Sequence, residues 1–247
     1  MPEAVPAAER LSRFLNAAER LKDALEVLYN RQFSGVGEAV RYGRDQGQEV
    51  VRRNVRTLEV LVELRNVIQH SNYRNGEPLA IPRQDAVDAF EAITRLIEDP
   101  PEVRDFMVKN PATLAPDATL EEAAHLINER NVSQLPVCDQ TGYVGLLTTN
   151  AIARWLAAVM TEGDVLEEDV LISDVLAHAE GHEVAGFVKP TTRAAKACRR
   201  LTAKNAPVAL LVTATGEPSA KILGILNRFD VPDLMLALTV QLGDDPD

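Results

Sequence analysis

The sequence predicts an α+β chain of more than one domain, with an N-terminal helical bundle followed by a tandem pair of α/β repeats. Three observations carry this. From Val103 onward a motif of roughly sixty to seventy residues occurs twice: "VRDFM" returns as "LISDVL", "TLEEAAHLI" as "TTRAAKACRRL", "SQLPVCD" as "NAPVALLV", and "VGLLTTNAIARWL" as "LGILNRFDVPDLM". The first hundred residues share none of this and space their apolar side chains by threes and fours, the helical period. Pro100 and Pro101 stand between the two patterns, and a double proline continues no helix. Two copies make a tandem pair rather than a solenoid. The domains are placed at 1–99 and 100–247, with the repeats over about 103–160 and 171–238.

In the N-terminal domain, Leu11, Phe14, Leu15, Ala18, Leu21, Leu25 and Leu28 mark an amphipathic helix over about 7–30. The stretch "FSGVGEAVRYGRDQG" breaks that pattern with glycines, so a loop or short helix is expected there. Val51, Val55, Leu58, Leu61, Val62, Leu64 and Ile68 mark a second long helix over about 47–70. It stops at "HSNYRNGEP", where Asn and Gly suit a C-cap and a proline follows. A third helix, "RQDAVDAFEAITRLIED", runs from after Pro82 to before Pro100. Helices with short connections make a small bundle.

In the repeats, "QLPVCD" and "GYVGLLT" read as two strands around a turn at Gln140–Gly142, feeding the helix "NAIARWLAAVM". The second copy reads the same way: "PVALLVT", a turn at Gly216–Pro218, "KILGILN", then a helix over "VPDLMLALTVQL". Helices alternating with short strands give an α/β layer.

Composition narrows the functional classes. Apolar residues make up 46% of the 247, a globular proportion. The net charge of −11 is uneven. Residues 1–100 hold 14 Lys and Arg against 16 Asp and Glu, and the remaining residues hold 12 against 21. An acidic C-terminal half argues against that half gripping nucleic acid or an anionic membrane, and neither DNA nor a membrane is expected as a partner. The arginines at 41, 44, 52, 53 and 56 read as a solvated helix face. Cys138 and Cys198 occupy non-matching positions, and no Cys–His spacing suits zinc, so no metal site is expected. The opening "MPEAVPAAERLSRF" has no basic segment followed by an apolar one, and no apolar run approaches the ~20 residues of a spanning helix. A cytoplasmic protein with free thiols is the expectation.

The repeat pair resembles the CBS-domain pair, or Bateman module, a fold that senses adenine nucleotides in a cleft between its halves. In that family the strand-to-helix junction reads Gly-x-hydrophobic-Thr/Ser-x-x-Asp. The hydroxyl and the helix N-terminus face phosphate, and the Asp accepts hydrogen bonds from ribose. Here the two copies split the motif. The first has Gly145 and Thr148, with Ala151 at the Asp position and Asn150 beside it; the second has Gly224 and Asp230, with Asn227 at the hydroxyl position. The resemblance makes Asp230 the leading ligand contact and places the base against backbone flanking Leu135–Pro136 and Ala206–Pro207. Lys189, Arg193 and Arg228 are further cations for a phosphate. Without a ligand, Asp230 and Thr148 or Asn150 would simply cap the helices that follow, and Trp155 would be core or a dimer contact. No cofactor is required; the regulatory ligand implied is AMP, ADP, ATP or a dinucleotide.

The end of the second helix reads "ELRNVIQHSN". Arg65, Asn66 and His70, followed by "PLAIP", resemble the HEPN superfamily, helical domains many of whose members are metal-independent ribonucleases. Their signature is an Arg and a His four to six residues apart, often with a polar residue after the Arg. The resemblance implies His70 as a base near neutral pH, Arg65 as the cation at the phosphate, Asn66 orienting the imidazole, RNA as a partner and a homodimer with the motif at its interface. The bland alternative pairs Arg65 with Glu63 or Glu59 and leaves His70 at the negative pole of the helix. Two functions follow: an adenine-nucleotide sensor controlling a HEPN-like endoribonuclease, or a non-enzymatic regulatory module whose helices dimerise or dock a partner.

Overall fold

The computed structural model describes residues 5–70, 78–162 and 169–242, the side chains of His70 and Glu162 aside. The chain divides into two compact units, Met1–Pro101 with Leu234–Asp247, and Glu102–Asp233.

The first unit is helical. Helix α1, Ala7–Tyr29, buries Phe14, Ala17, Ala18, Leu21 and Leu25, the expected stripe. It ends at Asn30 in the left-handed conformation, φ 49°, the usual stop for a helix that lacks a C-terminal glycine. The glycine-rich stretch forms α2, Val36–Asp45. Helix α5, Gln84–Glu98, lies against α1, with Phe14 and Phe90 edge to face at 5.1 Å. The Thr94 hydroxyl bridges the pair by donating to the carbonyls of Phe90, at 2.8 Å, and Ala17, at 3.2 Å.

The long helix expected over 47–70 is two helices, α3 at Glu49–Arg53 and α4 at Val55–His70. Asn54 makes the break. It is 2% exposed, with φ −105° and ψ 17°. Its amide nitrogen donates to the carbonyls of Val50 (2.7 Å) and Leu238 (2.9 Å), and its oxygen accepts the Val240 amide (2.7 Å). An asparagine that satisfies backbone groups through its side chain competes with regular helix. The C-terminal segment is correspondingly not helical to its end. The helix expected over 231–242 is the short α10, Val231–Leu236, and the chain beyond it runs to Asn54.

The second unit holds both repeats. In the first, β1 (Val108–Lys109) is followed by α6 (Leu120–Arg130), the hairpin β2–β3 (Gln134–Asp139 and Gly142–Thr148) and α7 (Thr149–Glu162). The second comprises α8 (Ile172–Leu176), β4 (Ala185–Val188), α9 (Ala194–Thr202), β5 (Ala209–Thr213) and β6 (Ile222–Asn227), with a 3-10 turn at Arg228–Asp230 leading into α10. The hairpins lie where the turns at Gln140–Gly142 and Gly216–Pro218 are expected. Helix α6 starts with a capping box in which Thr119 and Glu122 satisfy each other's amides.

The repeats are interleaved. Strand β1 belongs to the first repeat in sequence but pairs with β6 of the second, in a sheet ordered β1-β6-β5-β4; β2 and β3 form a separate two-stranded sheet. Strands β4 and β5 are parallel, and the other ladders antiparallel. The register sets Val108 opposite Ile225 and Lys109 opposite Gly224. Trp155 is 8% exposed and belongs to a core cluster with Leu135, Val137 and Leu147 of the first repeat and Ile172 of the second. Among the described residues no helix is long and apolar enough to cross a membrane.

Candidate functional site

The two strand-to-helix junctions carry the motif residues, and they are built differently. At the second, β6 ends in Asn227, whose amide donates to the Asp230 carboxylate at 2.6 Å while its side-chain oxygen accepts the Phe229 amide at 2.8 Å. This reciprocal cap holds the 3-10 turn. The other Asp230 oxygen accepts no hydrogen bond among the described residues. Burial pushes the Asp230 carboxyl above the ordinary aspartate range, and Asp233 adds to the shift, outweighing the Asn227 amide, which lowers it. Gly224 is a packing glycine, since a side chain there would overlap Met107.

Because β1 is threaded beside β6, this junction faces first-repeat residues across a cavity of about 690 Å³. Its walls include Lys109 and Asn110 after β1, Arg130 at the end of α6, Ser133–Leu135 entering β2, and Asn227 and Phe229. Asn110 and Asn131 adopt left-handed backbone, φ 50° and 51°, turning the chain around the rim. Among the described residues every charged side chain in that lining is cationic, Lys109 and Arg130, in a chain of net charge −11. Phe229 is 75% exposed at the edge. Lys189, Arg193 and Arg228, the cations expected from the sequence, do not line the cavity; Lys109 and Arg130 do. Only the pairing of β1 with β6 brings Lys109 there.

At the first junction the Thr148 hydroxyl is already engaged. It accepts the Ala151 amide at 3.0 Å, capping α7, and donates to Glu183 Oε1 at 2.6 Å. Glu183 has a side chain only 2% exposed. Its other oxygen accepts from the Arg154 guanidinium and from the Glu180 amide, the latter at 2.9 Å. Arg154 is held in turn by the His178 carbonyl at 3.0 Å. Asn150 is exposed on the first turn of α7. Gly145 leaves room for Leu176, 3.2 Å from where its Cβ would stand. Pro136 is buried in β2, and its carbonyl accepts the Leu114 amide at 3.0 Å. Pro207 packs beside Gly186. Glu183 lies outside the repeated motif and has no local sequence signal, and Arg154, although inside "VGLLTTNAIARWL", has no cationic counterpart in the second copy to mark it.

In the helical unit, Arg65 projects from α4 toward α1. It donates to Glu19 at 3.0 Å and to Asn66 at 3.3 Å, with a side chain 14% exposed. Burial alone would raise the Glu19 carboxyl, but hydrogen bonds from Arg65 and Lys22 hold it below the ordinary range. The ion pair is thus with Glu19 and not with Glu63 or Glu59. His70 closes α4, and its side chain lies outside the described residues. Among the described residues no group of His, Cys, Asp and Glu could hold a metal ion.

The repeat's geometry has a counterpart among known families. Residues 103–158 match the CBS-domain family model. A curated relative, the CBS domain-containing protein YhcV of Bacillus subtilis (strain 168), is 32% identical over 74 residues, 30% of this chain. The chain spans about half of that relative's length, 53%. Similar solved structures include CBSX2 in complex with AMP, at 22% identity and TM-score 0.41, covering 55% of this chain and 96% of that one. The CBS pair of MJ0100 in complex with 5′-methylthioadenosine and S-adenosyl-L-methionine is similar at 19% identity and TM-score 0.41, covering 54% and 94%. The CBS match takes in β1, the β2–β3 hairpin and most of α7, so Lys109, Arg130 and Thr148 all lie within it.

Proposed function

We propose that this protein is a regulatory adenine-nucleotide sensor whose ligand occupies the cavity between the β1 entry and the β6 junction. One observation carries the reading: about 690 Å³ of space whose charged lining is exclusively cationic in an acidic chain. That volume falls within the ~300–1,000 Å³ of small-molecule sites. The base lies against the backbone of Ser133–Leu135, Lys109 and Arg130 face the phosphates, and Asp230, next in the chain to the lining residue Phe229, offers its open oxygen to ribose from outside the lining. A carboxylate kept partly buried above its ordinary range is a common mark of a working site.

Titration with AMP, ADP and ATP tests this. A ligand at ~100 times its dissociation constant stabilises by about 2.7 kcal/mol, well within the reach of a thermal-shift assay. Asp230→Ala is expected to weaken binding by about 1.5–3 kcal/mol, the range for a hydrogen bond to a charged group, or about 10- to 150-fold. The fold should survive, because the Asn227 side-chain oxygen still accepts the Phe229 amide and caps the turn. The raised carboxyl favours the folded state at low pH, and that contribution is lost as pH rises through it. Binding runs the opposite way. It weakens on acidification as the acceptor is protonated, starting at a higher pH than for an ordinary aspartate. Unchanged affinity by calorimetry would leave Asp230 a cap only.

The helical unit is proposed as the regulated half, acting by dimerisation or docking. The involvement of Arg65 with Glu19 favours this over RNA cleavage, which needs that cation at a phosphate. Incubation with varied RNAs in chelator, with and without AMP, is expected to give no cleavage. Cleavage leaving cyclic-phosphate ends and abolished by His70→Ala would restore the HEPN-type ribonuclease reading.

A further inference from the structure

We propose that Glu183 is a built-in anion that occupies the first strand-to-helix junction, so that the pair takes its nucleotide at the second junction only. The single-occupancy part rests on the nucleotide reading above; the anion part does not. Three donors converge on one carboxylate: the Thr148 hydroxyl at 2.6 Å, the Glu180 amide at 2.9 Å and the Arg154 guanidinium. A hydroxyl, a guanidinium and a backbone amide beside a helix N-terminus are the donor set that receives a phosphate. Here the helix is α7, of 14 residues, and Thr148 caps it.

The two junctions are therefore complementary in charge. The open one presents Lys109 and Arg130 to a cavity, whereas at the closed one a glutamate supplies the negative charge from within the chain. Glu183 also lines a neighbouring cavity of about 600 Å³, which Thr148 itself does not reach. Shortening Glu183 joins that space to the Thr148 hydroxyl and frees the Arg154 Nη2 that it had engaged, while the His178 carbonyl still holds Nε and Glu180 stays 3.7 Å from Nη1. A small anion from solution then has both room and donors.

The test uses the full chain, with inorganic phosphate and AMP as probes. Wild type is expected to bind one AMP per chain by calorimetry. Glu183→Ala is expected to lose thermal stability in chloride and to recover part of it in phosphate at matched ionic strength, by more than phosphate raises the wild-type midpoint. Adding Thr148→Val should shrink that excess, since one donor is gone. If Glu183→Ala does not fold in chloride, its refolding by phosphate, followed by circular dichroism, is the same readout. Two AMP per wild-type chain, or no excess response of Glu183→Ala to phosphate, overturns the proposal. A wild type that binds no AMP, beside a Glu183→Ala that responds to phosphate, overturns the nucleotide reading and leaves the built-in anion standing.

Discussion

Arg154→Met is expected to destabilise the α/β unit by about 3–5 kcal/mol, the cost of breaking a buried ion pair by removing one partner. Glu183 is 2% exposed and Arg154 32%, so methionine leaves the carboxylate buried with only a hydroxyl and an amide to offset its charge. The chain's single tryptophan makes the measurement specific, because Trp155 lies in the core of this unit. Its fluorescence during urea unfolding reports that unit. Arg154→Met combined with Glu183→Leu should recover most of the loss, since replacing a whole buried pair by apolar side chains is often neutral. A single-variant loss under about 1 kcal/mol would put the pair in the class of solvent-screened surface bridges.

Asn54→Ala should cost the helical unit about 2–3 kcal/mol. The asparagine joins α3 and α4 to the C-terminal segment through Leu238 and Val240. Alanine leaves the Leu238 carbonyl and the Val240 amide without that partner, and a buried polar group left unsatisfied costs about 1–3 kcal/mol. Some of this is returned, because alanine favours helix more than asparagine does and α3 and α4 become better able to merge. Circular dichroism at the helical minimum reports the unit. An unchanged midpoint would mean that water takes the place of the amide.

The secondary structure was largely legible because it is written in short-range periodicity. Leucine and alanine spacing marked α1, short apolar runs around the turn at Gln140–Gly142 marked β2 and β3, and the prolines at 100 and 101 marked where the helical pattern ends. The errors share one cause. The 47–70 segment has unbroken helical periodicity, and its interruption depends on Leu238 and Val240, more than 180 residues away. The 231–242 segment looked helical for the same reason, and its second half is taken by the same contact.

The candidate site divides along the same line. Gly145 and Gly224 were visible because they recur at matching places in the repeat, and that alignment picked out Thr148, Asn227 and Asp230 as the residues at the motif's remaining positions. Lys109 and Arg130 became site residues only when β1 paired with β6, and Glu183 only when residues 35 apart brought a carboxylate to a threonine hydroxyl. The sequence by itself determined two repeats, their strands and helices, and the junctions where a ligand would be sought. The tertiary structure alone decided which junction stands open and which is filled. Local propensity selects the elements, whereas the sign of the charge inside a cavity depends on which distant side chains the fold places there.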